Sequence, residues 1–150
     1  MKQAQTQTVQ SLLLPTGAVN LLLPGAAVAE VIGIQHLSTT RSRGVLVGTA
    51  AWRGLTVPVL SFEALSGQVA PAPKARTKIV VLYPVTGRPK VDFYGVLASA
   101  DPRSLSVSGD KLRSNGVQAN SPYILQLCKL DGDAVAIPNL PAIRKALDDV

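Results

Sequence analysis

The stretch Gly48-Thr49-Ala50-Ala51-Trp52-Arg53-Gly54-Leu55-Thr56-Val57-Pro58-Val59-Leu60-Ser61-Phe62 reads as strand, tight turn, strand. Arg53-Gly54 is the turn, because glycine tolerates the positive φ of a hairpin bend. Beyond it Leu55, Val57 and Val59 alternate with Thr56, Pro58 and Leu60, the period of a pleated strand. Pro58 lacks an N–H, which suits an edge strand or a bulge. Ser61 is placed to cap a short helix, Glu63 to Leu65, ended by Gly67. A small β-barrel built on this hairpin is the expected fold.

Working outward, strands recur on both sides. Val9 to Leu14 and Val19 to Leu23 flank a Thr16-Gly17 turn, and both are apolar enough to be covered on two faces. Pro24-Gly25 stops the second, Gly25 to Ala29 fits one helical turn, and Glu30 to Ile34 returns to strand character. His36 to Gly44 is polar and reads as loop, and Met1 to Thr8 as a frayed end. Val69 to Thr77, rich in Pro and Ala, reads as a linker. Lys78 to Tyr83 and Val91 to Ala98 are strands around a Thr86 to Pro89 turn, and Leu105 with Val107 lies in another extended piece. Gly109 to Ser121 reads as loop. Tyr123 to Leu130 and Ala134 to Ile137 flank the hairpin signal Asp131-Gly132, and Asn139 caps a last helix with Pro141 in its first turn.

The two halves share one plan: strands, a crossing, a glycine turn, a last strand, a short helix. No residue-level repeat accompanies it. The expectation is a mainly β chain, 1–150 as a single domain, built of two similar barrels in tandem. The first barrel covers mainly 9–67, the second mainly 78–139, and a C-terminal helix 140–150.

Composition narrows the function. At 150 residues and 47% hydrophobic the chain buries a core, with Leu, Val, Ile and Ala filling it because aromatics are only 4%. The net charge of +6 raises an acidic partner, and a basic small barrel that binds nucleic acid is the alternative reading. Stacking on bases needs exposed rings, however, and Phe62, Tyr83, Phe93, Tyr94 and Tyr123 sit in apolar strand patterns that read as core. Trp52, at a hairpin tip, is open to either role. Cys128 stands among leucines and reads as a buried thiol, and His36 stands at the edge of a polar loop. No His, Cys or carboxylate cluster has metal-ligand or nucleophile–base spacing, and no glycine loop fits a phosphate, so neither enzyme chemistry nor a cofactor or metal is expected. No run reaches the roughly 20 apolar residues of a spanning helix. The polar N-terminus has no apolar signal region, so a cytoplasmic protein without membrane insertion is expected. What remains is an interaction module, with an apolar groove expected between the barrels to take a partner's helix.

Gly48-x-x-x-Trp52-Arg53-Gly54-x-x-Val57-Pro58-Val59 resembles the signature hairpin of the CheW-like chemotaxis coupling family. Leu21-Leu22-Leu23-Pro24 with Val28-Ala29-Glu30-Val31-Ile32 is similar to the family's apolar strand, short helix and acidic strand. Lys78 to Tyr83, Tyr94-Gly95-Val96-Leu97 and Asp131-Gly132 to Ile137 follow its second half. The resemblance implies two SH3-like five-stranded barrels and a non-catalytic adaptor in a bacterial chemosensory, two-component pathway of chemotaxis or twitching motility. It implies two partners: the regulatory domain of a CheA-type histidine kinase and the cytoplasmic tip of a methyl-accepting chemoreceptor. It also implies that Glu30 and Arg53 pair on the first barrel, with Val28, Gly48 and Trp52 in or near the partner-binding surface. Ser61-Phe62-Glu63 stands where the family usually has Asp-Leu-Arg, which points to an accessory coupling protein, for instance of a pilus-associated system.

Overall fold

The computed structural model describes residues 8–114, 116–117 and 119–150; the expected fraying of residues 1–7 lies outside them. Two curled sheets account for most of the chain. Its strands are β1 (Thr8–Leu14), β2 (Asn20–Pro24), β3 (Val28–Gly33), β4 (Leu37–Ser38), β5 (Leu46–Trp52), β6 (Leu55–Leu60), β7 (Lys78–Leu82), β8 (Tyr94–Ala98), β9 (Arg103–Ser108), β10 (Leu112–Ser114), β11 (Ile124–Leu130) and β12 (Asp133–Pro138). Two short helices, α1 (Phe62–Leu65) and α2 (Leu140–Ala146), follow β6 and β12. Both are capped as the sequence predicts: Ala64 N–H donates to Ser61 Oγ at 3.2 Å, and Ala142 N–H to Asn139 Oδ1 at 3.2 Å.

The strand order is β3-β7-β8-β6-β5-β4 in one sheet and β9-β1-β2-β12-β11-β10 in the other. In each, five strands of five to seven residues are joined by one stub, β4 of two or β10 of three. The outermost strands of each sheet follow one another in the chain, β3 into β4 and β9 into β10. One bent segment therefore brings both edges of each sheet together. These are the two barrels of the expected fold.

The allocation of sequence to barrels differs from expectation. The first barrel does not run over 9–67, nor the second over 78–139. Hairpin β1–β2 belongs to the sheet of β9–β12, and hairpin β7–β8 to the sheet of β3–β6. Each half of the chain lends its first hairpin to the other half. Parallel pairs close each exchange: Val59 with Gly95 and Leu60 with Val96, Val135 with Asn20 and Ala136 with Leu21.

Burial gives the physical reason. In β1, Leu12 and Leu14 face a core between the sheets while Leu13 faces the interior of its own barrel; in β7, Val80 and Leu82 face the shared core while Ile79 and Val81 face inward. An unbroken apolar strand needs cover on both faces, and only the middle of the molecule supplies it. Tyr94, Phe62, Leu60 and Ile143 complete the shared core, all fully buried. The surface between the barrels is thus filled by side chains.

Two smaller corrections follow. Pro58 sits in the interior strand β6, where the parallel ladder to β8 begins only at Val59. The segment read as loop from Gly109 holds β10, which pairs with β11.

Candidate functional site

Glu30, Trp52 and Arg53 meet at one mouth of the β3–β8 barrel. The β5–β6 turn has two central residues, Arg53 at φ +48° and Gly54 at +75°, with Trp52 paired to Leu55. That is the type I′ geometry that suits strand twist, and it aims Arg53 back over its own strand. A register shift between Val28 and Glu30 in β3 marks a bulge, which turns Glu30 toward the same mouth. Trp52 Nε1–H donates to Glu30 Oε1 at 3.0 Å, and Arg53 Nη2–H donates to the same oxygen at 3.2 Å. The Arg53 guanidinium also lies over the indole, 4.5 Å from its centroid. A cation over a ring face is attracted by its quadrupole, by ~0.5–1 kcal/mol at exposed sites.

Trp52 is only 6% exposed, so the indole packs in the barrel and reaches the surface through its N–H. Phe93 tilts against it with centroids 4.8 Å apart, and Tyr83 against Phe93 at 5.7 Å. Tyr83 is 47% exposed, contrary to the core role its sequence pattern suggests. Its N–H is held by the Ala27 carbonyl at 3.0 Å, at the foot of β3. The result is a ladder of Tyr83, Phe93, Trp52 and Arg53, with the Glu30 carboxylate closing one end. Strand periodicity hides the Tyr83 contribution, because its exposure depends on where β7 leaves the sheet.

Val28 stands two residues before Glu30, half-buried and packed on the shared core. Gly48 is elsewhere: it is buried at a register shift near the start of β5, where a Cβ would collide with the Ser38 carbonyl oxygen. Close approach of β4 accounts for this glycine without a partner. Of the five expected residues, Glu30, Trp52 and Arg53 therefore meet at one mouth, while Val28 packs on the shared core and Gly48 belongs to the frame.

A second charged cluster was not expected. Asp92 and Asp148 both bond guanidiniums. Arg144 donates to Asp92 at 2.7 and 2.9 Å and to Asp148 at 3.0 Å; Arg88 donates to Asp92 at 2.8 Å and to Asp148 at 2.9 and 3.0 Å. Burial pushes the Asp92 carboxyl up, but Arg144 and Arg88 together outweigh it and hold it below its ordinary value. The bonds from Arg88, then Arg144, hold Asp148 low as well. The network ties α2 to the β7–β8 loop, a brace rather than a site. Its sequence signal is the i,i+4 spacing of Arg88 with Asp92 and Arg144 with Asp148. Glu63 performs the matching task for α1, accepting from Gly17 N–H of the β1–β2 loop at 2.9 Å.

Cys128 is buried, as expected, and burial pushes its thiol up. Among the described residues no group of His, Cys, Asp and Glu has the arrangement to hold a metal ion, and no helix is long and apolar enough to cross a membrane.

The model of the CheW-like domain family matches residues 10–147. The fold is similar to the crystal structure of scaffolding protein TtCheW from Thermoanaerobacter tengcongensis, with a TM-score of 0.71 and 12% identity, over 93% of this chain and 90% of that one. No curated protein sequence matches the chain.

Proposed function

Since the chain belongs to the CheW-like domain family, we propose that it is a non-catalytic adaptor coupling chemoreceptors to a CheA-type histidine kinase. The regulatory domain of the kinase and the cytoplasmic tip of a methyl-accepting receptor are its partners, in the cytoplasm. The pathway is chemotaxis or twitching motility, and an accessory role in a pilus-associated system is part of this reading.

The observation that carries it is the Glu30–Trp52–Arg53 cluster on the family's hairpin. Arg53 presents a side chain 64% exposed, yet one already oriented by the indole and the carboxylate beneath it. A pre-oriented cation loses little freedom on binding, and a fixed charge pair selects a partner's register more than it adds affinity. Arg and Tyr are the residue types in which interface binding energy concentrates, and Arg53 and Tyr83 offer both. A stacking platform for nucleic acid asks for several exposed rings, and here Phe62 and Tyr94 are fully buried and Trp52 is 6% exposed, with Tyr83 the ring that is open.

Co-sedimentation with receptor-containing membranes and kinase tests the reading; recovery with neither, at low and moderate salt, overturns it. Within it, Arg53→Glu lowers binding, and adding Glu30→Arg restores part of the loss. Equal loss in the single and double variants removes the pair from the contact.

A further inference from the structure

Charge is unevenly placed. Between Ile34 and Thr77 the chain carries five cations and a single carboxylate, Glu63, against +6 for the whole. Glu63 is no counter-ion on the surface: it is buried, and its oxygens accept from Gly17 N–H and from the Ser61 hydroxyl. Arg53 is engaged by Glu30. The other four cations, Arg41, Arg43, Lys74 and Arg76, are exposed, and among the described residues their side chains make no ion pair or hydrogen bond.

The fold brings three of these, Arg43, Lys74 and Arg76, to neighbouring clefts. A cleft of about 360 Å³ separates the loop of Arg43 from the proline strap Pro71-Ala72-Pro73, with Leu46 and Val47 among its apolar lining. A smaller cleft of about 110 Å³ shares that strap, lined by Lys74 and Arg76 and by Glu63, whose carboxylate oxygens are taken up by Gly17 N–H and the Ser61 hydroxyl. Neither basic segment hangs free. Arg43 and Leu46 exchange backbone hydrogen bonds at 2.7 and 2.9 Å. The strap ends in a turn in which Lys74 N–H donates to Thr77 Oγ1 at 2.9 Å and Thr77 N–H to the Lys74 carbonyl at 3.0 Å. Proline restricts the strap further. Arg43 is thus held beside an apolar-lined hollow, with Lys74 and Arg76 across the strap from it, at the far end of β5 from Arg53, roughly 20 Å away at the rise of an extended strand.

We propose that this strap and loop form a second docking surface, separate from the Glu30–Arg53 mouth, for an acidic protein segment that also carries aliphatic side chains. Carboxylates meet Arg43, Lys74 and Arg76, and an aliphatic side chain enters the hollow over Leu46 and Val47. A nucleic acid strand is the weaker fit, because none of the residues lining either cleft is aromatic. A membrane surface is the weaker fit because the apolar part is recessed.

The test is fluorescence anisotropy with a short labelled peptide of alternating Glu and Leu. Parallel titrations use labelled oligothymidylate and phosphatidylglycerol vesicles. The peptide binds and is released by salt. Arg43→Glu/Lys74→Glu/Arg76→Glu weakens it at least about tenfold, since like charges then face each other. Lys111→Glu/Arg113→Glu/Lys129→Glu changes the net charge equally on the other barrel and weakens it less than about twofold. Circular dichroism melts confirm folding, and Arg43→Gln/Lys74→Gln/Arg76→Gln replaces the first variant if it melts early. Equal loss in the two charge reversals, no peptide binding at low salt, or tighter binding of the oligonucleotide or vesicles overturns the proposal. Receptor and kinase co-sedimentation of the same variants keeps this surface distinguishable from the first.

Discussion

At the β5–β6 tip, Arg53 and Gly54 take φ of +48° and +75°; at the β11–β12 tip, Asp131 and Gly132 take +50° and +88°. The two turns hold equivalent places in the two barrels. Trp52 and Leu130 precede them, both buried. The equivalence extends to the neighbouring strand. Glu30 pairs with Val81, the penultimate residue of β7, and Arg103 pairs with Leu13, the penultimate residue of β1. Glu30 with Arg53 on one barrel thus becomes Arg103 with Asp131 on the other, the charges reversed.

The chemistry diverges where the backbone agrees. Asp is at ease in the left-handed region, while Arg gains nothing there and gives up about 1 kcal/mol. Arg53 is held over Trp52 and against Glu30, whereas among the described residues the side chains of Arg103 and Asp131 make no ion pair. The fold needs a left-handed residue at both tips. It does not need an arginine at one of them, so the strained choice falls where a partner-binding role is proposed.

The largest effect is expected from Trp52→Ala. It empties a well-packed position, loses the Phe93 contact and strips Glu30 of a donor, for a loss of ~3–5 kcal/mol in urea unfolding. Leu130→Ala makes a cavity alone and costs ~2–3 kcal/mol. Equal losses erase the contrast between the tips.

Next comes the brace. Arg144→Met leaves Asp92 short of its closest cation and lowers stability by up to ~3 kcal/mol near neutral pH. Asp92 titrates lower in the folded chain than in the unfolded one, so its contribution is present above the ordinary carboxylate value near ~3.9. That contribution disappears as pH falls through the depressed folded value. Asp92→Asn therefore flattens the acid limb of a stability–pH curve. An unchanged acid limb removes Asp92 from the brace.

Gly48→Ala forces β5 from β4 because a backbone carbonyl cannot yield as a side chain does; ~1–3 kcal/mol of stability is lost, with partner affinity preserved in the folded fraction. A smaller effect on stability is expected of Arg53→Asn. Relief of the left-handed strain offsets the lost exposed ion pair, itself worth ~0–1 kcal/mol, so the melting curve barely moves while co-sedimentation with receptor and kinase falls. Asp131→Asn moves neither. If Arg53→Asn also leaves binding intact, the two tips differ without functional consequence.

Much of this was legible beforehand. Arg53-Gly54 and Asp131-Gly132 announced two-residue hairpins, Ser61 and Asn139 announced caps, and the shared plan of the halves announced two barrels. The pairing of Glu30 with Arg53 came only by resemblance, and the structure places the two side chains 3.2 Å apart. The exposure of Tyr83, the salt-bridged brace and the enclosed seam were not legible.

The sequence by itself determined the turns, the caps and the strand periods, since each is settled by neighbours within a few residues. Only the tertiary structure decided which hairpin joins which barrel. Leu12-Leu13-Leu14 and Val80-Val81-Leu82 carry no polar face to choose a side, and the choice falls to contacts with strands far along the chain. Each hairpin crosses to the other half because only there are both of its faces kept from water.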